Sequence, residues 1–288
     1  MMTDSRENEV ENEALLHNGL EKVREKLGES PEAAGQAMCQ LAREFASQGK
    51  ARQAALLAEK IRDGGIDYPT DNNAFDQGLG ELYLYGGSAV SDEARHDLGQ
   101  PGHLEAGEAL HQGVIERTKN AEKGTREFKD QEVSLGRMGD FIFFQGDYEV
   151  AANEFYALWH SREKAHEDSD EIGPTADAMY GEMASHLMDG DLREARMDAG
   201  PWFSSILSRD KDVEDRIEPL VMELEDIIGE IEDLPEDVHP KIFAAMNRIL
   251  REQGGSEGGV LDIDFRKLFD AARAEVNPAD AGEAAEQE

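Results

Sequence analysis

The sequence predicts an all-α fold of antiparallel helix pairs, closed by a helical C-terminal segment. Three observations predict it. Helix-forming Ala, Leu, Glu, Arg and Met are abundant, while strand-type alternation is nearly absent; VLDIDF at Val260–Phe265 is the one candidate. Turn residues break the chain at helix-length intervals. Between the breaks, apolar residues recur at i, i+3, i+4 and i+7, which is one helical face.

Taken in order, helices are expected over 13–27, 31–48, 51–63, 72–86, 102–122, 126–145, 148–166, 174–189, 191–207, 211–233, 236–253 and 264–275. Ser30-Pro31 opens the second as an N-cap followed by proline at N1. Gly49, Gly64-Gly65 and Gly86-Gly87 supply the next stops. GQPG at Gly99–Gly102 closes an insertion loop over 88–101, and Gly146-Asp147 and Gly190-Asp191 make short interhelix turns. Gly173-Pro174 precedes the helix at 174–189, and GGSEGG at Gly254–Gly259 reads as a flexible joint before the last helix. The expected organisation is an acidic disordered tail at 1–12, a helix-pair array over 13–210, a helical cap at 211–275 and a second acidic tail at 276–288.

Composition bounds the function. The chain has 288 residues and 39 % hydrophobic content, enough to bury a large core. Its single cysteine, Cys39, excludes an intrachain disulfide framework and a thiolate metal cluster. Cys39 lies mid-helix among Ala and Met and reads as a small packing residue. The polar start MMTDSRENEVENE is unlike a secretory signal, and no apolar run reaches the length of a membrane span. A soluble cytoplasmic protein is expected.

The charge is extreme, with 64 acidic and 29 basic residues and a formal net charge of −35. Only 11 of the cations are lysine, and the acid is spread along the whole chain. Dispersed acid with little lysine is similar to the bias of halophilic proteomes, because at molar salt the Debye length is about 3 Å and self-repulsion fades. The same charge also suits a basic partner. Under either reading, direct binding to nucleic-acid phosphates is disfavoured, since no basic stripe exists.

The repeat is clearest at Gly136–Phe155, GRMGDFIFFQGDYEVAANEF. Leu135, Met138, Gly139 and Ile142 share one helical face; Ala151 and Phe155 follow the Gly146-Asp147 turn. This order resembles the tetratricopeptide repeat, W-x2-L-G-x2-Y followed by A-x3-F. Three looser copies centre on Leu41-Ala42-Phe45, on Leu79-Gly80-Tyr83 and on Met183-Ala184-Leu187. The turn glycines Gly49, Gly87, Gly146 and Gly190 stand 38, 59 and 44 residues apart, a departure from the strict 34-residue period of the family. The resemblance covers 31–207 and implies an α-solenoid.

By that resemblance the chain would present helix residues along a concave groove to a protein partner. The carried-over positions are Arg43 in the first copy; Gln77, Glu81, Leu84 and Tyr85 in the second; Asp140, Phe143 and Phe144 in the third; and Ser185 and Met188 in the fourth. The set is apolar with acidic edges, which suits a peptide or amphipathic helix and favours a basic one. Phe143 and Phe144 equally fit packing against neighbouring helices. Binding of an acidic C-terminal tail is not expected, because Glu81 and Asp140 stand where basic residues would be needed.

No cofactor or metal site is expected. His96, His103 and His111 lie near the insertion, but HExxH and the i, i+4 ligand pair are absent. No nucleophile elbow, phosphate loop or dinucleotide fingerprint occurs. The expected function is therefore a non-catalytic interaction scaffold or adaptor. One alternative is an acidic sequestering inhibitor or immunity-type protein acting on a basic partner. A second is an enzyme using the 88–111 insertion.

Overall fold

A computed structural model describes residues 2–69, 71–165, 173–198, 203, 207–253 and 259–276. Among these the chain is all-helical and no strand is present. The helices are α1 (Met2–Glu29), α2 (Pro31–Ser47), α3 (Arg52–Lys60), α4 (Asn73–Gly86), α5 (Ala89–His96), α6 (His103–Thr118), α7 (Arg126–Gln145), α8 (Tyr148–Ala165), α9 (Gly173–Asp189), α10 (Leu192–Asp198), α11 (Lys211–Glu232), α12 (His239–Gln253) and α13 (Phe265–Val276). A π-turn at Ile61–Gly65 follows α3, and a 3-10 turn at Val260–Asp262 precedes α13. No described helix is long and apolar enough to cross a membrane.

Several expectations change. The first helix reaches back to Met2, into the stretch read as a tail. The insertion contains α5, held by a capping box in which Ser88 and Ser91 each cap the other's backbone. VLDIDF forms a 3-10 turn and a helix start instead of a strand. An isolated strand has no ladder to complete, and none lies beside it among the described residues. Of the helix expected at 191–207, Leu192–Asp198 is helical, while 199–202 and 204–206 lie outside the described residues, as do 277–288 of the expected C-terminal tail.

The contacts divide the chain into two compact units, with the division between Arg137 and Met138 inside α7. In the first unit, α1 to α4 enclose a core that includes Met38, Leu41, Phe45, Leu57, Phe75, Leu79 and Tyr83. Helices α2 and α4 cross at Gly35 and Gly78: a Cβ on Gly78 would lie 2.4 Å from the Gly35 carbonyl oxygen, so only glycine permits the approach. Ser30 caps α2 by accepting from the Ala33 N–H at 3.1 Å, and Asn72 caps α4 by accepting from the Phe75 N–H at 3.0 Å.

In the second unit α9 is buried along nearly its whole length. It packs against α8, α10, α11, α12 and the 3-10 turn. The Phe155 ring of α8 fills the space over two glycines, Gly139 and Gly181, where an added Cβ would come within 2.5 and 2.8 Å of it. Ile217, Leu224, Ile227 and Ile228 of α11, Ile242 and Met246 of α12, and Phe265 and Phe269 of α13 complete the buried apolar set.

The Gly-Asp turns work as their composition predicts. Gly146 and Gly190 take left-handed φ values of 91° and 87°. After each, the Asp N–H donates to the carbonyl five residues back: Asp147 to Ile142 at 3.3 Å and Asp191 to His186 at 2.9 Å. Asp191 then caps α10 by accepting from the Glu194 N–H. One glycine thus ends a helix and the next residue starts another.

Candidate functional site

The positions carried over from the repeat are mostly interior. In the first unit Arg43 is exposed on α2 and is hydrogen-bonded to the Tyr85 hydroxyl. Burial, first of all, raises the pKa of that hydroxyl. Leu84 and Tyr85 are themselves buried in α4. Gln77 is half-buried; its Nε2 donates to the Asp130 carbonyl at 2.7 Å and to Ser134 Oγ at 3.0 Å. Glu81, one turn on, is buried and accepts a fork from Arg137, Nε at 2.6 Å and a terminal nitrogen at 3.0 Å.

In the second unit Asp140 is buried and accepts from the Val260 N–H at 3.0 Å. Phe143 is fully buried, edge-on to Tyr148 with ring centroids 5.0 Å apart, and Phe144 beside it is half-buried. Ser185 is buried and bonds back to the Gly181 carbonyl of its own helix at 2.7 Å. Met188 is buried, and its carbonyl accepts from Asn247 Nδ2 at 3.4 Å. Only Arg43, Gln77 and Phe144 of the ten keep appreciable surface. The physical reason is coverage from several sides. Helix α4 is packed by α2, α3 and α6, and the off-face side of α9 is occupied by α12 and the 3-10 turn.

The three histidines of the insertion do not converge. His96 meets Glu105 at 3.0 Å on the surface, and this bond raises its pKa. His103 lies buried at the start of α6, stacked on Tyr83 at 5.8 Å, with Nε2 3.2 Å from Glu59 Oε1. Burial lowers its pKa. His111 is fully buried, with Nδ1 3.2 Å from Ser134 Oγ; burial pushes its pKa down to about 3, so the ring is neutral. A Cβ on Gly80 would lie 2.4 Å from its Nε2, which explains the small residue there. No cluster of three or more metal-ligating side chains occurs among the described residues.

Sequence reasoning missed the buried carboxylates. Asp92 of α5 caps α6 from outside it, accepting from the His103 N–H at 2.6 Å and the Leu104 N–H at 3.0 Å. Asp76 of α4 is buried and takes Arg117 at 2.6 Å and the Tyr68 hydroxyl. Glu182 of α9 is buried, accepts the Trp159 indole N–H, and is pushed up to about 7, chiefly by burial. Cys39 of α2 is half-buried; burial, then the nearby Glu81 carboxylate, pushes its thiol up to about 11. So many acids in the sequence concealed which few are interior.

One cavity opens beside α11. It has a volume of about 150 Å³ and is lined by Phe203, Leu207, Val221 and Met222, with Glu214, Glu218 and Glu225 at its edge. Comparison with protein-family models, curated proteins and solved structures found no match to this chain.

Proposed function

We propose that the chain is a non-catalytic helix-pair repeat protein that acts by binding another protein. The observation that supports this best is the packing of Phe155 over Gly139 and Gly181. Small residues on one helix against a large aromatic on the next are what the tetratricopeptide resemblance requires at Gly139 and Phe155. The shared left-handed turns at Gly146 and Gly190 agree with it. Such repeats act through surfaces that their helix pairs display. Of the carried-over positions, Arg43, Gln77 and Phe144 are the ones that retain surface for a partner.

The net charge of −35 favours a basic partner and also supports the sequestering reading. The two differ in salt dependence. A sequestering protein loses its partner steeply as salt rises, whereas an apolar groove contact persists at molar salt. The test is affinity capture on the immobilised full chain at about 0.2 M and about 1 M KCl, comparing wild type with the double variant Arg43→Glu/Phe144→Ala. A partner held by the wild type and lost by a variant with unchanged circular dichroism supports the proposal. Identical partner sets for both proteins would refute the role of these positions.

A further inference from the structure

We propose that Arg126–Arg137, the N-terminal half of α7, is an acid-released strap, fastened over α4 and α6 by polar contacts that centre on Ser134 and His111. Its release would uncover Gln77 and Glu81 of α4, which matters to a partner only under the repeat reading above. The release itself is measured without a partner, so either can fail alone.

The two halves of α7 are attached differently. From Met138 onward the helix buries apolar side chains, Met138, Phe141 and Phe143. From Arg126 to Arg137 a single residue, Ser134, is buried; Phe128 and Leu135 are half-buried and Val133 is 51 % exposed. This half is fastened chiefly by polar contacts. Asn73 Nδ2 donates to Asp130 Oδ2 at 3.1 Å, Gln77 Nε2 reaches the Asp130 carbonyl and Ser134 Oγ, and Glu81 takes the Arg137 fork. Near its start Arg126 meets Glu32 of α2 at 3.2 Å. Water replaces such bonds when they part, so each is cheap to open, whereas a buried apolar side chain forfeits its whole transfer free energy. Gly136 lies where the halves join, and a glycine weakens a helix from within. Unwinding that begins at Arg126 therefore has a place to stop.

The trigger lies around Ser134. Its Oγ is 3.0 Å from Gln77 Nε2 and 3.2 Å from Nδ1 of the fully buried His111. Gln77 Nε2 is the donor, because it also donates to the Asp130 carbonyl. The Ser134 hydroxyl is then left to donate to Nδ1, which must carry no proton. Protonating His111 removes that acceptor and adds a buried cation facing Arg137. Burial first, then the Arg137 charge, keep the ring neutral while the strap is closed. On α4, Glu81 follows Gly80, which lies against the ring, and Arg137 takes its charge; on α6 itself Glu108 lies a turn before the ring. Once the strap lifts, the ring meets water and its pKa returns toward 6.5. Protons therefore bind the released form more tightly, and release grows by up to about tenfold for each pH unit below 6.5.

The test is amide hydrogen exchange of the full chain, read by mass spectrometry and corrected for the intrinsic pH dependence of exchange. At neutral pH the amides of 131–137 should exchange at least about tenfold faster than those of 141–145 in the same helix and of 79–83 in α4. That excess should grow about tenfold or more between about pH 6.5 and about pH 5. His111→Gln keeps an acceptor for the Ser134 hydroxyl and cannot titrate, so it should abolish the growth. Ser134→Ala unfastens the strap itself and should speed exchange of 131–137 about tenfold at neutral pH, leaving 141–145 unchanged. Circular dichroism checks that both variants fold, and Ser134→Ala with the wild-type pH profile decides the matter if His111→Gln does not. Equal exchange along α7, exchange of 131–137 in step with 79–83, an excess indifferent to pH, growth that persists in His111→Gln, or unchanged exchange in Ser134→Ala would overturn the proposal. A strap that stays shut leaves the partner reading to Arg43 and Phe144. A strap that opens in a chain whose affinity capture yields no partner removes that reading and keeps the strap.

Discussion

Helices α4 and α9 are the most deeply buried of their respective units, yet they carry buried acid in opposite ways. On α4, Asp76 meets Arg117 at 2.6 Å and Glu81 meets Arg137 at 2.6 Å. On α9, Glu182 has no cation among the described residues and is held by the neutral indole of Trp159. The difference teaches what keeps a carboxylate charged inside a protein. An arginine fork compensates the lost hydration, whereas a single neutral donor does not, and the carboxyl then holds its proton to about pH 7. Burial alone says little about charge state; the partner decides it.

The largest expected effect breaks the α4 side of this comparison. Arg137→Met leaves the buried Glu81 carboxylate without its fork and should cost about 3 kcal/mol in urea unfolding. Adding Glu81→Gln should recover most of that loss, because the stranded charge is gone. A cost under about 1 kcal/mol for the single variant would show that Glu81 does not depend on the pair.

The α9 side gives a smaller effect of opposite sign. Below pH 4.5 the carboxyl of Glu182 is protonated whether the chain is folded or not; between 4.5 and about 7 only the folded state keeps the proton. Stability therefore falls as pH rises from about 4.5 to about 7, and above about 7 the folded state carries the full cost of a buried charge. Glu182→Gln keeps an acceptor for the Trp159 N–H and removes the titration. It should stabilise the protein by about 2 kcal/mol above about pH 7 and flatten the stability profile between about pH 4.5 and about 7. An unchanged pH profile would reject the assignment.

The ends of the same two helices sharpen the contrast at the lowest energies. Helix α9 stops at Gly190 with φ 87°, but α4 stops at Gly87 with φ −87°. Gly87 is needed for space, since a Cβ would lie 2.8 Å from the Tyr83 carbonyl oxygen. Both Ala substitutions should cost about 1 kcal/mol or somewhat more in thermal unfolding. Asn tolerates the left-handed region, so it should recover part of the loss at Gly190 and none at Gly87. Equal behaviour of Asn at both sites would erase the distinction.

Much of this architecture was legible in the sequence for local reasons. The Gly-Asp turns combine a residue that adopts positive φ with one that caps, and both properties are intrinsic to the residue. The Gly139 and Phe155 spacing likewise carried the close packing of the two side chains. Helix α5 was missed because AVSDEARH is short and polar, although Ser88 and Ser91 held the signal of its cap. The coverage of Asp140 and Met188 was not legible at all. It depends on Val260, 120 positions from Asp140, and on Asn247, and no local pattern encodes such pairings.

Cys39 gives the molecule a built-in clock. It is the only sulfhydryl in the chain and, with its pKa near 11, stays in the unreactive form at neutral pH. Its pKa falls toward the ordinary value of 9.0 once its surroundings separate. Under a chemical trap the rate of its modification therefore rises as the α2–α4 region loosens, without any label having to be introduced.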